Sequence, residues 1–216
     1  MLISISGAQG SGKTTILEEI KKLDYNVIER KTSRSILTDW KVSLDDVYSD
    51  KELMVAFQDE LLERKAQDEA EAIASNKIWF TERSYADVFT YTLIVLGWQN
   101  RKSDWIDEYY NKCRELNKKY SLVFYVKRFN PDNVEADNVR GINKYYSKLV
   151  DGTISSTLQE MSWDPTHFGQ NYQVKVIETP KLEDRVVTIL RMSHDLWLGK
   201  NYSNTNNHLP IKEETF

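Results

Sequence analysis

The run Gly7-Ala8-Gln9-Gly10-Ser11-Gly12-Lys13-Thr14 constrains this chain more than any other stretch. Just before it, Leu2-Ile3-Ser4-Ile5-Ser6 has the composition of a short buried strand. Just after it, Ile16, Leu17 and Ile20 recur at the spacing of one helix face. Glycines in the connection let the backbone wrap tightly, so that successive N–H groups converge on an anion where the helix begins. The complete GxxxxGK[ST] pattern in a strand–loop–helix setting reads as a phosphate-binding loop. Gly7, Gly10, Ser11, Gly12, Lys13, Thr14 and Thr15 are therefore the candidate phosphate contacts. Lys13 is expected to reach the β- and γ-phosphates of ATP, and Thr14 to offer its hydroxyl to Mg²⁺.

Four further apolar runs, 25–29, 78–81, 122–126 and 172–177, follow the first. Helical periods separate them, the clearest at 51–75, 84–96, 104–120 and 182–196, with another over 141–160 adjusted near Gly152. Runs of this kind suit strands covered on both faces. The expected fold is α/β, a three-layer arrangement in which helices flank a five-stranded parallel sheet. In the segment 51–75, Met54, Phe57, Leu61 and Leu62 are the expected buried stripe, with the acids and Gln67 outside. One domain over 1–198, with a lid at about 127–144, and a polar tail over 199–216 divide the chain.

The single cysteine, Cys113, excludes an intramolecular disulfide, and no Cys/His cluster suits zinc. With six residues ahead of the loop no leader is expected, and no apolar run has the length of a membrane span. A cytoplasmic location, without a membrane partner, is the expectation. The net charge of −4 argues against a chain built to coat nucleic acid. Residues 45–71 are strongly acidic and 112–128 basic; both read first as solvated faces, with part of the basic block able to face phosphate.

The loop alone does not separate kinases from GTPases or mechanical ATPases. There is no Asn-Lys-x-Asp for guanine and no apolar strand ending in Asp-Glu. The third strand runs instead into Thr81-Glu82-Arg83-Ser84. Placed beside the first strand, it opens next to the phosphate loop, where open α/β sheets bind ligands. A carboxylate there can take a hydroxyl proton or hold Mg²⁺, and a guanidinium can neutralise a phosphoryl group in transfer. Closing such a site against water calls for a basic lid, and among Lys127, Arg128, Arg140 and Lys144 the preferred residue is Arg140. Trp40, Tyr85, Tyr91 and Trp98 read as core before acceptor wall, and the three histidines are isolated.

On these residues the chain resembles the P-loop nucleoside and nucleotide kinase superfamily. Glu82-Arg83-Ser84 resembles the Glu-Arg-Ser element of deoxynucleoside kinases and the Asp-Arg element of nucleoside monophosphate kinases. Phe57-Gln58 is similar to a Phe-Gln pair of deoxynucleoside kinases whose glutamine reads a nucleobase edge. Glu29 with the following Arg34, and Asp137-Asn138-Val139-Arg140 in the place of an Asp-Gly-x-Arg element, resemble nicotinamide-riboside kinase-like domains of AAA type. Asn138 departs from the glycine of that element. Spanning about residues 1–195, the resemblance implies a P-loop NTPase/kinase fold and transfer of the ATP γ-phosphoryl group to a nucleoside or nucleotide. It implies Lys13, Glu82, Arg83 and Arg140 as catalytic residues, Thr14 and Glu82 at the metal, and Glu29, Arg34 and Gln58 on the acceptor. A hydroxyl carried by DNA or RNA is the alternative acceptor, and an ATPase or regulatory module the third reading. Oligomeric state stays open.

Overall fold

Every residue of β1 (Leu2–Ser6) is buried, and so is every residue of β4 (Leu122–Val126), which fixes both in the middle of a sheet. The computed structural model describes residues 1–29, 32–96, 104–129, 144–164, 169–170 and 172–199. Along the chain come β1, α1 (Lys13–Lys22), β2 (Asn26–Val27), α2 (Thr32–Trp40), α3 (Leu44–Ser49), α4 (Lys51–Ala74) and β3 (Trp79–Glu82). Then follow α5 (Tyr85–Leu96), α6 (Asp104–Asn117), β4, α7 (Lys144–Ser162), β5 (Trp163–Asp164), β6 (Gly169–Gln170), β7 (Gln173–Ile177) and α8 (Leu182–Trp197). Five strands form one parallel sheet in the order β2-β3-β1-β4-β7, and β5 and β6 make a small antiparallel pair.

Strand alternation divides the core into two layers. Ile3, Ile5, Phe80, Leu122, Phe124 and Val126 pack on α1 and α8. Leu2, Val123 and Tyr125 face the other way, onto α4, α5, α6 and α7. A third cluster, with Ile36, Val47, Met54, Phe57 and Leu96, joins α2 and α3 to the start of α4. The three-layer parallel architecture expected from the apolar runs is the one observed. α7 passes through Gly152 without interruption. No helix among the described residues is long and apolar enough to cross a membrane.

Much of the acidic block is spent on helix ends and pairs. Ser43 and Asp46 form a capping box on α3, and Asp50 accepts from Glu52 and Leu53 at the start of α4. The expectation that the acids of α4 lie outside fails at Glu69, which is fully buried with Lys65. Both occur in phase with Met54, Leu62 and Ala72, so the buried stripe continues through a charged pair. The basic block is likewise broken up. Buried β4 divides it, and Lys112, Lys118 and Lys127 each face a carboxylate, on Asp59, Glu115 and Glu178.

Candidate active site

Sheet order brings the two motifs together. β3 lies directly beside β1, pairing Ile5 with Glu82, and the Arg83 N–H donates to the Ile5 carbonyl at 2.9 Å. The chain leaving β1 into the loop therefore emerges next to the acid and arginine leaving β3.

Gly7 shows why the loop needs glycine. Its φ is +141°, and a Cβ there would meet the Val126 carbonyl oxygen at 2.6 Å. Gly7→Ala is expected to cost about 2 kcal/mol or more of stability, because both the backbone conformation and the contact with β4 would have to change. Denaturant unfolding with an unchanged m-value checks this. Gly12, also at positive φ, sits at the head of α1, which has no side-chain cap, so its first-turn N–H groups face the loop.

Lys13 is almost fully buried, with Nζ donating to the Ala8 carbonyl at 2.8 Å. Burial, then the neighbouring Arg83, lowers its pKa to about 8, while Glu82, Asp87 and Asp151 oppose the shift. Thr14 Oγ1 donates to Glu82 Oε2 at 3.1 Å, so the two expected metal residues are in contact. Magnesium commonly takes one or two protein oxygens, with phosphates and water completing its shell, and this hydroxyl–carboxylate pair fits that need. Among the described residues no three His, Cys, Asp or Glu side chains cluster as a metal site.

Arg83 adopts φ 66°, a conformation few non-glycine residues keep without support. Its guanidinium lies over the Tyr91 ring, 4.7 Å from the centroid, and its Nη1 is buried without a hydrogen-bond acceptor. Burial works against its charge, but Tyr91, Glu82 and Asp87 outweigh that and hold the pKa above the ordinary value. A permanently charged donor with an unused N–H is the chemistry an anionic phosphoryl group requires.

The proposed acceptor residues are placed less uniformly. Glu29 follows β2 and pairs with Lys21 of α1, and Arg34 is exposed on α2. Gln58 is buried in α4. Its Oε1 accepts from Thr92 at 2.9 Å, and its Nε2 faces the Met54 sulfur at 3.8 Å. Trp40 packs edge-on against Phe57, Tyr85 is core, and His194 bonds with Tyr25. Arg140, Asn138, Trp98, His167, His208 and most of the expected lid and tail lie outside the described residues.

Two site residues escaped the sequence reading. Arg185, near the start of α8, donates from Nη1 to the Ser11 carbonyl at 2.9 Å and from Nε to the Thr179 carbonyl at 2.7 Å. It thereby braces the loop from α8, which packs on the same face of the sheet as α1. Asp87, in the first turn of α5, is fully buried and receives the Gly7 N–H at 3.0 Å. The Ser84-x-x-Asp87 spacing carried a capping-box signal; nothing local pointed to the loop.

A central parallel sheet, a glycine-rich anion loop on β1 and an acid–arginine pair on the neighbouring strand define a P-loop nucleotide-binding domain. Residues 2–185 match the AAA domain family, and the chain belongs to it. No curated protein sequence matches the chain. Among solved structures it is similar to deoxyadenosine kinase from M. mycoides with products dCMP and a flexible dCDP bound. That likeness has a TM-score of 0.64 and 16% identity, over 90% of this chain and 100% of that one. The same enzyme with bound dCTP gives 0.62 at 15% identity, and with bound dATP 0.64 at 17%, both over 90% of this chain and 100% of that chain. At such identity the likeness establishes the shared P-loop kinase fold.

Proposed function

We propose that this protein is a phosphotransferase that moves the γ-phosphoryl group of ATP onto a hydroxyl or phosphate of a nucleoside or nucleotide. The observation that carries the reading is the contact of Thr14 with Glu82 beside Arg83, whose buried Nη1 has no acceptor. A nucleotide-hydrolysing machine needs the loop, but an acid–arginine pair on the adjacent strand suits an acceptor that must be deprotonated and a charge that must be neutralised. The fold shared with an enzyme whose solved structures hold deoxynucleotides supports the same acceptor class.

In this reading the loop N–H groups and Lys13 bind the donor phosphates and fix the γ-phosphorus in line with the acceptor. Thr14 and Glu82 would hold Mg²⁺, which supplies neutralisation of the phosphate oxygens when bound. Glu82 takes the acceptor proton or organises the metal, and Arg83 stabilises charge on the moving phosphoryl group. Glu29, Arg34 and Gln58 remain the proposed acceptor contacts, with Arg140 the proposed lid arginine. The basic block, divided by β4 and with Lys112, Lys118 and Lys127 each at a carboxylate, favours a small acceptor over a polynucleotide track, which would need a continuous basic surface.

Incubation of the full chain with Mg²⁺, γ-labelled ATP and a panel of nucleosides, deoxynucleosides and their monophosphates tests the proposal. Label is expected on one acceptor class. Label released only as inorganic phosphate, or found only on added DNA or RNA, overturns it.

A further inference from the structure

The side chain of Asp87 is fully buried, yet both of its oxygens are used. Oδ1 accepts from the Gly7 N–H at 3.0 Å, and Oδ2 from the hydroxyl of Ser6 at 2.5 Å. Oδ2 also accepts from the Ser84 N–H at 2.8 Å and the Ser84 hydroxyl at 2.7 Å. The two Ser84 bonds, with the Asp87 N–H returning to the Ser84 hydroxyl at 3.3 Å, make an ordinary capping box for α5. An ordinary box sits at the surface and is complete within its own helix. This one is buried at the cost of desolvating a carboxylate, and its other two donors come from the end of β1 and the loop after it, 81 and 80 residues away. Those donors are the last residue of β1 and the first glycine of the phosphate loop.

We propose that Asp87 is a positioning residue that locks the phosphate loop to the Glu82–Arg83 turn, so that donor-binding and transferring groups are held as one rigid unit. The turn needs such a hold. Arg83 has a positive φ that must be enforced by its surroundings, and Ser84, the next residue, is the one Asp87 grips. The loop needs it as well, because Gly7 is fixed between the Val126 carbonyl on one side and Asp87 on the other. A carboxylate suits the post better than an amide, since all four groups directed at its two oxygens are donors. Its negative charge also bears on the two cations of the site, Lys13 and Arg83. Asp87 touches no reacting atom in this arrangement and acts through its neighbours.

The test reads cross-effects between the two halves of the site. The full chain is compared with Asp87→Asn, Ser6→Ala and Ser84→Ala by Mg·ATP affinity without acceptor and by kcat at saturating ATP. Ser84→Ala alters only the acid–arginine side, yet it is expected to weaken Mg·ATP binding by about tenfold, the scale of one hydrogen bond to a charged group. Ser6→Ala alters only the loop side, yet it is expected to lower kcat by about tenfold with ATP saturating. Asp87→Asn turns one oxygen into a donor facing donors, and is expected to lose more than about a hundredfold in kcat/KM. If the serine variants lower the melting temperature but leave Mg·ATP affinity and kcat at wild-type values, Asp87 is only a helix cap and the proposal falls. The serine variants decide the matter even where Asp87→Asn fails to fold. The inference rests on the phosphotransferase reading for its kcat arm alone. Affinity without acceptor stands when no acceptor is found, and normal affinity in Ser84→Ala with a labelled acceptor sinks Asp87 but not the reading.

Discussion

Glu82→Gln is expected to lower phosphoryl transfer by about 10²–10⁴-fold while Lys13→Ala abolishes useful engagement of the ATP phosphates. Glutamine keeps an oxygen that can accept from Thr14 Oγ1, so the 3.1 Å contact and the fold survive the first substitution. The variant loses a negative charge and a proton acceptor, in a place where Lys13 and Arg83 supply positive charge. Such a loss falls on kcat if Glu82 receives the acceptor proton, and Mg²⁺ added in excess then restores nothing. If Glu82 organises the metal, the apparent affinity for Mg²⁺ falls and excess Mg²⁺ recovers part of the rate. Steady-state kinetics over a Mg²⁺ series distinguishes the two. Lys13→Ala differs in kind, because its Nζ is the buried cation of the loop and nothing on α1 replaces it. Its deficit appears in nucleotide binding without any acceptor. Wild-type turnover in Glu82→Gln would remove the acid from the mechanism.

How legible the molecule was in its sequence depended on how local each cause is. β4 begins and ends where its apolar run does, and β1 likewise, because a central parallel strand is buried on both faces. The phosphate loop was legible because its requirement for glycine is a backbone property of consecutive residues. The place of Glu82 and Arg83 next to the loop was legible once β3 was set beside β1. Arg185 was not, since its partner Ser11 lies 174 residues away and no periodicity encodes that pairing. Gln58 likewise has a partner that no local pattern encodes, Thr92, 34 residues on. Its place after Phe57 suggested a base reader, and the structure shows its amide oxygen receiving the Thr92 hydroxyl. On α4, Glu60 with Arg64 and Lys65 with Glu69 have the same four-residue spacing, yet the first pair is partly exposed and the second is sealed. Spacing alone cannot separate a surface pair from a buried one. Helical phase can, because Lys65 and Glu69 continue the line of Met54, Leu62 and Ala72.

That sealed pair carries a large expected stability effect. Glu69 accepts from Lys65, from the hydroxyls of Thr81 at 3.1 Å and Tyr120 at 3.0 Å, and from the hydroxyl of Tyr85 at 2.7 Å. Lys65 Nζ also lies 4.9 Å from the Tyr85 ring centroid and 5.7 Å from that of Tyr120. Lys65→Met is expected to cost about 3–5 kcal/mol, the scale for breaking a buried pair, with the three hydroxyls still solvating the carboxylate. Glu69→Leu is expected to cost more. It takes the carboxylate from the ammonium and removes the acceptor for all three hydroxyls at once, each loss about 1–3 kcal/mol before relaxation. The double substitution Lys65→Met with Glu69→Leu removes both charges but still leaves Thr81, Tyr85 and Tyr120 without that acceptor. It therefore falls short of wild type, unlike simple buried pairs whose apolar replacements are neutral or stabilising. Chemical denaturation of the three variants gives the order, and a double variant as stable as wild type would show that the hydroxyls find other partners. Thr81 and Tyr85 flank Glu82, Arg83 and Ser84, so any of these variants that folds is also expected to lose turnover, because the sealed network anchors both ends of the turn that presents the acid and the arginine.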